Sequence, residues 1–203
     1  MLFGQKNIAR YISAQQQNYI LRNDANMYIR LIRNEAKGNA ITGRLVIDGR
    51  WFCNTLERKG VEIPALCYHV CVTQSPKFKR LLPLVTGVPR TPQSGYGTAT
   101  PIGRANGAMG YRQGIRIHRG TKPEHSTGCI LVVADNNPMP LHSTPYTLHP
   151  PQGRTAADVE QELTRLILKA QKEHEEIILE VTDFRPGTEY GYDHPCPPEL
   201  QKP

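Results

Sequence analysis

No run of apolar residues in this chain approaches the roughly 18 that a membrane-spanning helix needs, so no helical span is expected. The opening stretch, MLFGQKNIARYISAQQQ, lacks the apolar segment and small-residue cleavage site of a secretory signal. The expectation is a protein made in the cytoplasm and not exported by the general secretory route. Cysteine is scarce: five residues, an odd number, with no paired spacing, which argues against a disulfide framework. A dense patch of one charge is also missing. The chain carries a net +7, from 25 Lys and Arg against 18 Asp and Glu, but the charges are scattered. The densest run, SPKFKR at Ser75 to Arg80, has one aromatic and no glycine, so it carries no RNA-binding signature and reads as a solvated edge. Nucleic acid is therefore not an expected partner, although a basic protein favours polyanions, an acidic cell-wall polymer among them.

What remains is an ordinary globular composition, 38% apolar and 21% charged over 203 residues, enough for one well-buried core. Residues 5–23 show a rough helical period with little apolar content, an N-terminal helix that would dock on the body or on a partner. From Tyr28 the pattern alternates. YIRLIRNE reads as a strand, and RLVIDGRWFCNTLE as two strands around Asp48-Gly49, a two-residue hairpin signal. YHVCVTQ, led in by Ile63-Pro64, reads as the next strand and ends before Pro76. The stretch from Leu82 to Gln113, rich in Pro, Gly, Thr and Ser, shows no period and reads as a long loop. GIRIH and GCILVVA follow as apolar strands. Thr155 is a fair N-cap for a helix through about Glu175, with Val159, Leu163, Leu166, Ile167 and Ala170 on one stripe. EIILEVTDF closes the sheet. The division expected is an N-terminal helical extension at 1–27, one domain at 28–184 and an exposed tail at 185–203.

The chemistry concentrates between GIRIH and GCILV. If these strands are neighbours, His118 and Cys129 stand at the same rim of the sheet. A cysteine attacks an acyl carbon as thiolate, so it needs a base and donors for the developing oxyanion. His118 is the candidate base, Cys129 the candidate nucleophile, and Gly128 lets the backbone amides of Gly128 and Cys129 approach a substrate carbonyl. Ser126 lacks the Gly-x-Ser-x-Gly setting of a serine nucleophile and reads as an orienting hydroxyl. A zinc site from His118, His125 and Cys129 is conceivable but lacks a fourth ligand nearby. In a strand Cys67 and Cys71 stand about 13 Å apart, at roughly 3.3 Å per residue, which suits neither a disulfide between them nor one metal shared with His69. Both cysteines read as small buried side chains. The bland alternative for the main pair is a small buried cysteine and a strand-end histidine.

IHRG at Ile117 to Gly120 and STGCILV at Ser126 to Val132 resemble the YkuD-type L,D-transpeptidases, in which an upstream histidine precedes a Ser/Thr-His-Gly-Cys strand start. Nearly the whole stretch 28–184 is similar to an uncharacterised YkuD-like domain family with the ordered phrases Thr55-Leu56-Glu57, Ile63-Pro64, SPKFKR with Leu82-Pro83, GIRIHRG and GCILV. The resemblance implies an α+β, mainly β fold: a YkuD-like mixed sheet or β-sandwich with one packed C-terminal helix. It implies Cys129 as nucleophile and His118 as base, oriented by a backbone carbonyl such as that of Arg119. Ser126 and Gly128 belong to the turn, and no cofactor or metal is required. Arg116, Arg119 and Thr127 stand on the substrate side, the arginines able to pair with a stem-peptide carboxylate. Thr127 replaces the family's second histidine, the His-to-Cys separation of 11 residues is short, and Leu131 stands where the family has Arg or Asn. Peptidoglycan stem peptides are the implied partner. The setting is the periplasm or cell wall, reached from a bacteriophage, as part of a virion, or as a secreted effector. The rival expectation is a non-catalytic binding or structural module of a virion or secretion apparatus.

Overall fold

The structure, a computed structural model, describes residues 26–88, 112–136 and 153–183. The expected N-terminal helix, most of the long loop, the Pro-rich residues 137–152 and the tail lie outside these residues. Eight strands and one long helix make up the described part: β1 (Asn26–Arg33), β2 (Ala40–Ile47), β3 (Arg50–Arg58), β4 (Cys67–Gln74), β5 (Leu81–Thr86), β6 (Ile117–Arg119), β7 (Ile130–Val132), α1 (Ala156–Lys172) and β8 (Glu176–Thr182). The class is α+β and mainly β, as expected. The first strand begins at Asn26, just inside what was assigned to the extension.

Period-two alternation forms β1: Met27, Ile29 and Leu31 are buried while Tyr28 and Arg30 are half-buried. Asp48 and Gly49 both take positive φ, 47° and 76°, the backbone of a two-residue turn whose twist matches the strands it joins. All strands belong to one mixed sheet in the order β5-β4-β8-β1-β2-β3-β7-β6. Most pairs are antiparallel, but β1 runs parallel to β8 and β6 parallel to β7. The two ends nearly meet: Leu84 bridges Arg116, and Val85 N–H donates to Ile115 O at 2.9 Å. This is a single curled sheet rather than two sheets packed as a sandwich.

Strand β5 was expected to be loop, because Pro83 and the Pro/Gly-rich residues after it mask its apolar run. Pro83 is tolerated because it faces Val72 at a position where the main-chain N–H groups point out of the pair, as the Val72 N–H bond to Gln171 Oε1 (2.7 Å) shows, so this ladder loses no hydrogen bond. Helix α1 starts at the expected N-cap, where Thr155 and Asp158 form a capping box. Its stripe of Val159, Leu163, Ile167 and Ala170 enters the main core, with Leu166 packed at its border. No described helix is long and apolar enough to cross a membrane.

Among the described residues, the ion pair most withdrawn from water is that of Arg33 and Glu57. Arg33 grips Glu57 through two bonds of 2.7 and 2.8 Å, with 3% and 2% of the side chains exposed, and also donates to Ile63 O at 2.7 Å. Removing one partner of such a pair strands the other charge away from water. Arg33→Met is therefore expected to lower unfolding stability by about 3–5 kcal/mol in urea titrations. The double variant Arg33→Met/Glu57→Met should recover most of that loss, and a single variant as stable as wild type would contradict the pair's role.

Candidate functional site

Strands β6 and β7 are adjacent, as the sequence implied. Ile117 pairs with Ile130, His118 with Leu131 and Arg119 with Val132. One residue back in this register Arg116 stands beside Cys129, and the Arg116 N–H donates to Cys129 Sγ at 3.5 Å. The Sγ–H in turn faces Gly114 O at 3.8 Å. His118 lies two residues further along, about 7 Å at roughly 3.3 Å per residue, and two-residue alternation keeps it on the Cys129 face. The imidazole and thiol thus share a face but are not hydrogen-bonded to each other.

His118 is buried and firmly oriented. Its Nδ1 donates to Arg119 O at 2.9 Å, the carbonyl the sequence pointed to, which leaves Nε2 as the bare nitrogen. Phe78 covers the ring, with centroids 4.5 Å apart. Burial pulls the imidazole's pKa down, against the Arg119 carbonyl and Glu160, which favour the cation; Lys77 and Arg80 add to the lowering. Glu160, buried on α1, accepts the Arg119 N–H at 2.7 Å and grips Arg80 at 2.8 and 2.9 Å. The helix is thereby fastened to the end of β6. The run SPKFKR is a solvated edge only in part: Pro76, Lys77 and Lys79 are exposed, but Ser75 is buried, Phe78 shields the histidine and Arg80 neutralises Glu160.

The turn before β7 is held from within and from without. Ser126, wholly buried, donates from Oγ to Cys129 O at 2.6 Å and accepts the Gly128 N–H at 2.9 Å. It is the orienting hydroxyl expected, but it occupies the Gly128 amide that was assigned to the oxyanion. Only the Cys129 amide keeps that possibility, with no hydrogen-bond acceptor among the described residues. Gly128 has φ +122°, and a Cβ there would collide with the guanidinium of Arg112. Arg112 donates to Thr127 O at 2.5 Å and to Val61 O at 2.8 Å. Burial pushes the Cys129 thiol's pKa up, opposed by the Arg116 N–H and by the charges of Lys77, Arg112 and Arg116.

Three expectations change. Arg116 does not offer its guanidinium to a substrate carboxylate: it is buried, and donates to Thr73 O, Leu82 O, Gln74 O and Thr73 Oγ1 at 2.9–3.2 Å. Cys67 is disulfide-bonded rather than a buried thiol, while Cys53, Cys71 and Cys129 are free. Cys67 and Cys71 are also only half-buried. Arg119 remains half-exposed, its guanidinium 3.9 Å from Glu160, and the Thr127 side chain is exposed. His125 closes an exposed 3-10 turn, Pro123–His125, where its Nδ1 accepts the Thr121 N–H at 3.3 Å. Among the described residues no three His, Cys, Asp or Glu side chains are grouped to hold a metal.

Sequence reasoning missed Arg112, Lys77, Phe78 and Glu160. Only Phe78 carried a signal, as an aromatic inside a charged run; the others are joined to the site by folding alone. The chain matches no protein-family model, no curated protein and no solved structure.

Two pH dependences follow. With its thiol pushed up, Cys129 is protonated at pH 7, so its alkylation should accelerate about tenfold per pH unit from pH 7 to 8.5, read by site-resolved mass spectrometry. A rate independent of pH would show a thiolate already formed. His118, lowered by burial, stabilises the fold fully above its unfolded pKa of about 6.5, and that contribution is lost as pH falls from there towards the folded value. Urea titrations at pH 7.5 and 5.5 should show a smaller loss for His118→Gln than for wild type.

Proposed function

We propose that this chain is a cysteine-dependent enzyme with a YkuD-like fold that acts on peptidoglycan stem peptides, by L,D-transpeptidation or by the matching L,D-carboxypeptidase or endopeptidase hydrolysis. The observation that carries the reading is the pairing of β6 with β7, which puts a tautomer-fixed imidazole and a free thiol on one face within two residues of register. The ordered motif resemblance supplies the substrate class. Cys129 Sγ attacks a peptide carbonyl next to a D-centre while His118 Nε2 takes the thiol proton. The Cys129 amide faces the oxyanion. The leaving amine departs with the proton from His118, and the thioester passes to an acceptor amine or to water. Apo geometry with the base and nucleophile not yet in contact is common in enzymes whose catalytic bonds tighten on substrate binding. The half-exposed Arg119 suits a stem-peptide carboxylate better than Arg116 does.

The positive charge fits an acidic wall, and a disulfide at Cys67 fits an oxidising compartment, so delivery by a bacteriophage, a virion or a secretion machine is part of the reading. The second reading is a non-catalytic module of a virion or secretion apparatus, docked through its N-terminal segment. The missing His118–Cys129 hydrogen bond and the occupied Gly128 amide favour it. Incubation with purified muropeptides, followed by mass spectrometry, separates the two. Wild type should yield cross-linked or trimmed muropeptides, Cys129→Ala none, and His118→Ala at least about 100-fold less. Wild type that leaves muropeptides unchanged rejects the enzyme.

A further inference from the structure

The guanidinium of Arg112 is almost wholly buried, yet its hydrogen bonds run to main-chain carbonyls alone: Val61 O, Thr127 O and, at 3.5 Å, Glu62 O. Such a group is costly to keep out of water unless its position serves the surrounding backbone. Two segments far apart in sequence, the loop at 61–62 and the turn at 127–128, meet on it. The turn has been shaped to receive it, because any side chain at position 128 would occupy the guanidinium's place. Arg116 differs: its guanidinium serves β4 and β5, and only its main-chain N–H touches the thiol. Resting on the cysteine-enzyme reading, we infer that Arg112 is the positioning residue of the nucleophile turn, fixing the Thr127–Gly128 backbone and holding a permanent cation against Gly128, the residue before the thiol.

A fixed guanidinium stabilises the thiolate as it forms without any movement of the site. The charged and titratable groups facing the pair are His118, on the same sheet face, with Lys77 and Arg116 around Cys129, and Glu62 and Tyr68 around Arg112.

Alkylation of Cys129 with iodoacetamide across pH 6.5–10.5, resolved by mass spectrometry with Cys71 as internal reference, tests the assignment in the full chain. Arg112→Gln keeps a donor for Thr127 O and loses the charge; its midpoint should rise by about one pH unit, slowing Cys129 about tenfold at pH 8 with Cys71 unchanged. Arg112→Lys keeps the charge, and its midpoint should stay within a few tenths of wild type. Circular dichroism and cooperative thermal unfolding confirm that each variant is folded. A folded Arg112→Gln with the wild-type midpoint overturns the inference, as does an equal rise in Arg112→Lys. Should Arg112→Gln not fold, the Arg112→Lys midpoint decides. This readout needs no turnover, so it stands apart from the muropeptide result: wild type that converts muropeptides while Arg112→Gln keeps its midpoint sinks this inference alone.

Discussion

A guanidinium withdrawn from water must find acceptors in several directions at once, and this fold uses that demand to fasten its irregular segments. Arg33 joins β1 to β3 and to the carbonyl of Ile63. Arg112 joins the neighbouring carbonyl of Val61 to the turn before Cys129. Arg116 ties the start of β6 to the ends of β4 and β5, where the curled sheet closes. Arg154 binds both oxygens of Asp135 as well as Glu162 and the Phe52 carbonyl, pinning the exit of β7 to the start of α1. Each draws together segments that lie apart in sequence.

The strands themselves are ordinary, held by alternation and burial; the candidate site lies where the ladder is shortest. Three rungs of parallel pairing are a weak unit on their own. Their geometry holds because both ends are fixed from outside: Glu160 of α1 on the Arg119 N–H, Ser126 and Arg112 on the turn, the Asp135–Arg154 pair beyond β7. The histidine and thiol therefore share a face at a set separation, each with its own anchors.

Legibility followed the range of the interaction. The Asp48-Gly49 turn, the alternation of β1, the Thr155 cap and the α1 stripe are local patterns, and each formed where the sequence placed it. Strand β5 escaped notice because Pro83 signals an interruption, which is harmless only in the register that sets it opposite Val72, a pairing decided by folding. The lysines of SPKFKR are solvated, as charge predicts on average, but Arg80 is not free, because the partner that neutralises it lies on a helix 80 residues later.

The sequence by itself determined which residue types are near one another along the chain: a histidine at one strand end, a Ser-Thr-Gly-Cys turn at the next, a glycine where the backbone needs positive φ. Only the tertiary structure decided how they are used. It placed Cys129 level with Arg116 instead of His118, spent the Gly128 amide on Ser126, turned Arg116 inward and brought Arg112 against the turn. The reason is that hydrogen-bond capacity is shared across the whole fold: a donor offers itself to a ligand only when no nearer acceptor claims it, and those acceptors are set by packing between distant segments.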